Sequence, residues 1–137
     1  MNSLSNFEII EDILFECVIP GRPGILKNSK KIIVVRGRRI PVPSDRYNLW
    51  EKVASLYVYR LRPVTVIDFP VNLQAVFYFK NHAHEPDLSN SYQGIEDILA
   101  KQGVLKNDKL IYSHDGSRKV FGEPVERIEI KVTRATC

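Results

Sequence analysis

Residues 86–108 read PDLSNSYQGIEDILAKQGVLKND, which predicts an extended approach, one short amphipathic helix and a return leg that ends in a carboxylate. Pro86 keeps the residue before it out of the helical region, so a helix can start one or two residues later. Apolar residues recur every three or four positions from Leu88 to Leu99, which predicts one buried and one polar helix face. Gly103 follows the last periodic residue and suits a C-terminal cap.

Two aspartates frame this helix, and the residues alone leave their role open. Asp87 lies at the start, and Asp108 lies beyond the end of a helix of about 13 residues, or about 20 Å. If residues 103–108 are extended, they cover roughly the same 20 Å, so Asp108 can return beside Asp87 and share a divalent cation. The plain alternative is that Asp87 only caps the helix and Asp108 only starts a turn.

The composition is that of one globular domain spanning residues 1–137, since 44% of the chain is hydrophobic and 26% is charged. No apolar run reaches the length of a membrane span and no signal-peptide pattern is present, so a cytoplasmic location without a membrane partner is expected. Cys17 and Cys137 lack metal-binding spacing and are expected to be free thiols. His82 and His84 alternate but lack a clear third ligand, so a polar loop is the simpler interpretation.

The positive charge is concentrated in residues 22–39, which hold seven basic residues and no acidic one. Ile32–Val35 and Arg38–Val42 flank Arg36-Gly37, so a basic loop or hairpin is expected at residues 22–42. A cationic run without a carboxylate is costly to leave unneutralised, which favours contact with a nucleic-acid backbone over a solvated loop. The predicted nucleic-acid contacts are Lys27, Lys30, Lys31, Arg36, Arg38 and Arg39.

The other segments predict a single α+β domain in which a mixed or antiparallel β-sheet carries two helices. Strands are predicted, from apolar or alternating runs, at Ile13–Ile19, Val71–Phe79 and Arg127–Thr133. A second helix is predicted after Ser44, and Pro63 is expected to stop it. Asp115-Gly116 lies between two short strand-like runs and predicts a further hairpin.

The spacing of residues 86–108 resembles that of the RusA-type Holliday junction resolvases, which are small phage and bacterial endonucleases. Their signature runs Asp-Leu-Asp-Asn, then a Lys three residues after the Asn, a helix, a Gly and a further Asp. The matching residues here are Asp87, Leu88, Asn90, Asp97, Leu99, Gly103 and Asp108. The segment Ile19–Pro23, the basic loop, the helix after Ser44 and the final strand also fit, so the resemblance covers most of the chain.

The resemblance implies a magnesium-dependent endonuclease, with manganese as a possible substitute, that cuts four-way DNA junctions as a homodimer. It implies that Asp87 and Asp108 ligate the metal, with Ser89 and Asp97 as further candidate ligands. Gln93 is then expected to contact the scissile phosphate. The same resemblance gives Asn90 a supporting role at the site and a contact with nucleic acid.

Two positions depart from the family pattern, because Ser89 replaces its second Asp and Gln93 replaces its Lys. The site then holds one negative charge fewer unless Glu85 substitutes, and Gln93 can hydrogen-bond a phosphate without neutralising it. The candidate compensating cations are Lys101, Lys106 and Lys109. Two alternatives follow: a branched-DNA-binding protein that cleaves weakly or not at all, and an interaction protein that binds no nucleic acid.

Overall fold

A computed structural model describes residues 12–23, 30–83 and 86–136. In that part of the chain, two helices accompany a mixed five-stranded sheet and a separate two-stranded sheet, which confirms the predicted α+β class. The strands are β1 (Ile13–Pro20), β2 (Lys30–Val35), β3 (Arg38–Pro43), β4 (Val71–Phe79), β5 (Ile111–Ser113), β6 (Arg118–Phe121) and β7 (Arg127–Arg134). The helices are α1 (Asp45–Leu61), α2 (Leu88–Lys101) and a one-turn 3-10 helix (Asp108–Leu110). Neither α1 nor α2 is both long and apolar enough to span a bilayer, and the rest of the described chain holds no such helix.

The main sheet is built around β4. On one side β4 pairs antiparallel with β7, which in turn pairs antiparallel with the edge strand β1. On the other side β5 and β6 pair with β4 in parallel, one after the other, with Val71 beside Ile111 and Val76–Phe79 beside Arg118–Phe121. The hairpin predicted at Asp115-Gly116 is therefore wrong, because β5 and β6 succeed each other along β4 and do not pair with each other.

The step between β5 and β6 is held by side chains of β4. The Asn72 Oδ1 accepts hydrogen bonds from the Asp115 N–H and from the Ser113 hydroxyl, each at 2.7 Å. Gly116 has φ +85°, a conformation that residues with a Cβ rarely adopt, so a glycine suits this position. The Asp-Gly pair makes a step within an edge and not a turn between strands.

The core lies between the two helices and one face of the main sheet. Alternate residues of β1, β4 and β7 point to this face, as their registers and burial show. The helix α2 covers it with Ile95, Ile98 and Leu99, each 1% exposed or less, which confirms the predicted amphipathic helix. Burying each such side chain contributes about 1.5–3 kcal/mol. Cys17 is buried in this core as a free thiol, as predicted.

Local signals predicted where the helices begin and end. The Ser44 Oγ caps α1 by accepting a hydrogen bond from the Tyr47 N–H at 3.2 Å. The helix α2 begins at Leu88 and ends in a Schellman motif, in which the Val104 N–H donates to a carbonyl of the last turn at 3.0 Å. Gly103 has φ +82° in this motif, a conformation that side chains with a Cβ rarely adopt.

We expect Gly103→Ala to lower the free energy of unfolding by about 1–2 kcal/mol, because an L residue is strained in the left-handed region. A Cβ at this position would meet only the Arg62 Cδ, at 3.9 Å, so backbone strain sets the cost. Urea denaturation measures the change. Gln102→Ala is the matched control, since Gln102 has φ −92°, and an equal loss in both variants would contradict the explanation.

Candidate functional site

Asp87 is the N-cap residue of α2, but its side chain does not cap the helix. Its backbone is extended, and its carbonyl accepts a hydrogen bond from the Ser91 N–H at 3.1 Å. The Asp87 carboxylate makes no capping hydrogen bond, and the residue is exposed. Helix capping therefore does not account for this carboxylate, which remains accessible to a ligand.

Asp108 is also exposed, and its neighbour provides the cap of the short helix. The Asn107 Oδ1 accepts a hydrogen bond from the Lys109 N–H at 2.9 Å, while Asp108 is the first residue of the turn. Asp108 therefore starts a turn, as the plain alternative predicted, while Asn107 and not the Asp108 carboxylate provides the cap. Both aspartates carry acid groups that the fold does not use for capping.

The return leg after α2 leads to the start of β4. Val104 and Leu105 are buried, and Leu105 forms a parallel bridge with Ile67, just ahead of β4. Three residues beyond Asp108, the chain enters β5 at Ile111, which pairs with the first residue of β4. The leg follows this path because its apolar side chains reach the core there, so Asp108 lies at the level of the start of β4.

The segment just before Asp87 lies near the C-terminal part of β4. The Lys119 Nζ donates a hydrogen bond to the Pro86 carbonyl at 3.2 Å, and Lys119 pairs with Phe77, six residues along β4 from its start. Six residues of strand span roughly 20 Å. After Asp108 the chain runs back along α2, since the short helix contacts α2 and the His114 ring stacks on Tyr92 with the ring centroids 4.2 Å apart. That Asp108 lies beside Asp87 stays a prediction.

The other candidate ligands lie along the polar side of α2. Ser89 and Gln93 are exposed and one turn apart, and Asp97 follows after another turn. Asp97 is half-buried and lies toward α1, where it contributes to a raised pKa of the Tyr47 hydroxyl after the larger effects of burial and of Glu51. Ser89 is thus the candidate beside Asp87, whereas Asp97 lies toward the contact between the two helices.

Lys119 is a cation near Asp87 that the sequence did not reveal. Its Nζ reaches the Pro86 carbonyl because β6 pairs with β4 in parallel, a long-range arrangement without a local signal. Two of the candidate compensating cations pair elsewhere, Lys101 with Glu51 at 3.5 Å and Lys106 with Asp68 at 3.4 Å. Lys109 is exposed beside Asp108 in the short helix.

Some predicted residues lie outside the described part of the chain. These are Lys27, His84, Glu85 and Cys137, together with the side chains of Lys30 and Asn90. Their roles stay predictions. The imidazole of His82 stacks on the Phe121 ring, with the two ring centroids 3.8 Å apart.

The predicted basic hairpin is confirmed as the two-stranded sheet of β2 and β3. Its turn consists of Arg36 and Gly37, with φ of 52° and 76°, as the tight two-residue turn of a hairpin requires. The Lys31 Nζ pairs with the Asp45 carboxylate at 2.6 Å, which ties the hairpin to the first residue of α1. Arg36, Arg38 and Arg39 are exposed at and beside the turn.

Arg22 belongs to the same basic run but contacts the connection between β4 and α2. Its guanidinium forms an ion pair with Glu126 and donates to the backbone carbonyl of Ala83. The Glu126 carboxylate also accepts a hydrogen bond from the Lys80 N–H at 2.9 Å. Arg22 and Glu126 thus hold the segment that leads into Asp87.

We expect Glu126→Gln to flatten the dependence of the unfolding free energy on pH between pH 5 and pH 3. The hydrogen bond from the Lys80 N–H, assisted by Arg22, lowers the pKa of Glu126 below its ordinary value. A lowered folded-state pKa stabilises the protein above the unfolded value of about 4.3, and that stabilisation is lost as the pH falls through the folded-state pKa. Urea denaturation at each pH measures this, and equal slopes for both proteins would contradict it.

The donors near Asp87 fit a hard divalent cation. Magnesium binds oxygen ligands, keeps several waters and is commonly held by one or two carboxylates together with substrate phosphates. Asp87 offers an exposed carboxylate, and the Ser89 hydroxyl follows two residues later. Across residues 12–23, 30–83 and 86–136, no three His, Cys, Asp or Glu side chains group to form a metal cage.

Comparison with known proteins agrees with the motif. The family model described as Endodeoxyribonuclease RusA matches residues 20–133. The matched region begins in β1 and ends in β7, so it includes the main sheet, the hairpin and both aspartates. Among curated proteins, no match is found.

Proposed function

The chain belongs to the RusA endodeoxyribonuclease family, and from that premise we propose that it is a magnesium-dependent resolvase of four-way DNA junctions, with manganese as a possible substitute. One observation carries the proposal. Asp87 and Asp108, which occupy the motif positions, both expose carboxylates that the fold does not use to cap its helices.

Hydrolysis of a phosphodiester needs an attacking water and a means to offset charge on the phosphate and on the leaving oxygen. A bound magnesium ion supplies Lewis acidity and lowers the pKa of a coordinated water. Asp87 and Asp108 would hold the ion, and the Ser89 hydroxyl would support it. The Gln93 amide would donate to a phosphate oxygen, while Lys119 adds a positive charge close to Asp87.

The attachment of the two aspartate-bearing segments to different parts of β4 favours a site shared between subunits. Two oxygens on one magnesium ion lie within about 4 Å of each other, since each is about 2.1 Å from the metal. In one chain, the segments that carry Asp87 and Asp108 are tied to positions of β4 six residues, or roughly 20 Å, apart. We therefore propose that Asp87 meets Asp108 of the partner subunit, so that a symmetric homodimer has two sites for the two strands of a junction.

We expect Asp87→Asn and Asp108→Asn each to lower magnesium-dependent nicking of a synthetic four-way junction by at least about a hundredfold. Asparagine keeps the shape of the side chain but removes the charge that a hard cation requires. Gel assays of cleavage and of junction binding measure the two effects separately. Binding should persist in both variants, and retained cleavage in both would reject the metal site.

Mixed dimers test whether the site is shared. If the pair forms between subunits, a heterodimer of an Asp87→Asn chain and an Asp108→Asn chain has one intact site and one doubly altered site. We expect co-refolding of the two inactive variants to restore about one quarter of wild-type nicking, because about half of the dimers are mixed and each has one of two sites. Each variant refolded alone is the control. Absence of any recovery would contradict a shared site.

A second candidate function is branched-DNA binding with little or no cleavage, and the Ser89 and Gln93 departures favour it. One assay distinguishes the two candidate functions. The binding-only function predicts salt-sensitive junction binding without nicking at any magnesium or manganese concentration. An interaction protein would bind no junction even at low salt.

We expect replacement of Arg36, Arg38 and Arg39 by alanine to weaken junction binding and its salt dependence. Each lost phosphate contact lowers the slope of log K against log salt by about 0.9. Fluorescence anisotropy between about 50 and 200 mM salt measures the slope. Arg60→Ala, which removes an exposed cation from the last turn of α1, is the control. An unchanged slope in the triple variant would exclude the hairpin as a phosphate contact.

A further inference from the structure

We propose that Arg22 is a positioning residue, which fixes the backbone ahead of Asp87 so that its carboxylate is held ready for a divalent cation. The inference rests on the proposed role of Asp87. It gives Arg22 a task different from that of the exposed arginines at the hairpin turn, although all of them belong to the same basic run.

The contacts of Arg22 join three parts of the chain. Its Nη1 pairs with the Glu126 carboxylate ahead of β7. Its Nη2 donates to the Ala83 carbonyl and lies 3.4 Å from the Asn81 Oδ1 and 3.5 Å from the Asn81 carbonyl. The guanidinium carbon also lies 5.3 Å from the centre of the Phe79 ring. One side chain thereby links the end of β1 to both the approach to β7 and the connection after β4.

The connection has further supports that act in the same direction. The Asn81 Oδ1 accepts a hydrogen bond from the Ala83 N–H at 3.0 Å, which closes a tight turn beside the guanidinium. The His82 ring stacks on Phe121 of β6. At the other end of the connection, Lys119 donates to the Pro86 carbonyl. Arg22 and Lys119 thus hold the backbone on both sides of residues 84–85.

A guanidinium is suited to this position, whereas an ammonium is not. Its planar fork presents several donors in fixed directions, so it can serve a carboxylate and backbone carbonyls at once. Lysine would keep the positive charge but could not maintain these contacts together. Arg22→Lys therefore separates positioning from charge, because any contact with DNA that depends only on charge would survive the change.

The matched control is Arg127→Lys, which removes an equivalent fork elsewhere. The Arg127 guanidinium pairs with Glu129 at 2.8 Å and with Glu123 at 3.2 Å, and it lies over the Tyr78 ring at 3.8 Å. The side chains of Arg22 and Arg127 are comparably exposed, at 32% and 23%. The two variants lose similar interactions, but only Arg22 contacts the connection through Asn81 and Ala83.

Three measurements on the full chain test the proposal. Hydrogen exchange of peptides covering residues 81–91 reports the order of the connection without metal or DNA. Calorimetric titration with manganese reports the affinity of the cation site, and a gel shift reports junction binding. We expect Arg22→Lys to speed exchange in this segment and to weaken manganese binding about tenfold, the lower end of the effect of residues that orient metal ligands. Junction binding should remain, and Arg127→Lys should change neither exchange nor affinity.

Unchanged exchange and affinity in Arg22→Lys, or equal changes in Arg127→Lys, would overturn the proposal. If Arg22→Lys does not fold, Glu126→Gln weakens the same contact from the other side and should show the same pattern with a smaller amplitude. A wild-type protein that neither binds manganese nor cleaves would refute the proposed function. The exchange data would still show whether Arg22 orders this segment, so the two failures are distinguishable.

Discussion

The packing of α2 on β4 is the constraint on which the site depends. The apolar face of α2 is buried against the sheet, and the segments before and after the helix are tied to opposite ends of β4. The same burial that stabilises the domain therefore fixes where the segments carrying the two aspartates leave the helix.

The parts of the fold that local sequence controls were predictable. The bounds of β4, the start of α2, the Gly103 cap and the hairpin turn at Arg36-Gly37 all follow from periodicity, capping preference or turn geometry, which act over a few residues. The edge formed by β5 and β6 was not predictable. The Asp115-Gly116 sequence is compatible both with a hairpin turn and with a step between two strands that pair with the same neighbour. Only the long-range pairing with β4 distinguishes the two.

The motif proposes the residues of the candidate site, but their spatial arrangement depends on long-range packing. The number of residues between α2 and Asp108 limits their distance but does not determine the direction of the chain. That direction depends on where Val104 and Leu105 are buried in the core. Arg22 had no signal of its function for a similar reason, since its partners lie 59 to 104 residues away in sequence. The number of basic residues in a run does not tell which of them bind a partner and which form contacts within the fold.

Among the described residues, the hairpin of β2 and β3 pairs with no third strand, and an isolated pair of strands has little stability of its own. Its exposed apolar residues, Ile32 and Val34, are 55% and 69% accessible, so the core contributes little to holding its shape. The Lys31 contact with Asp45 attaches it near its base. The orientation of this appendage relative to the domain therefore depends on few contacts near its base.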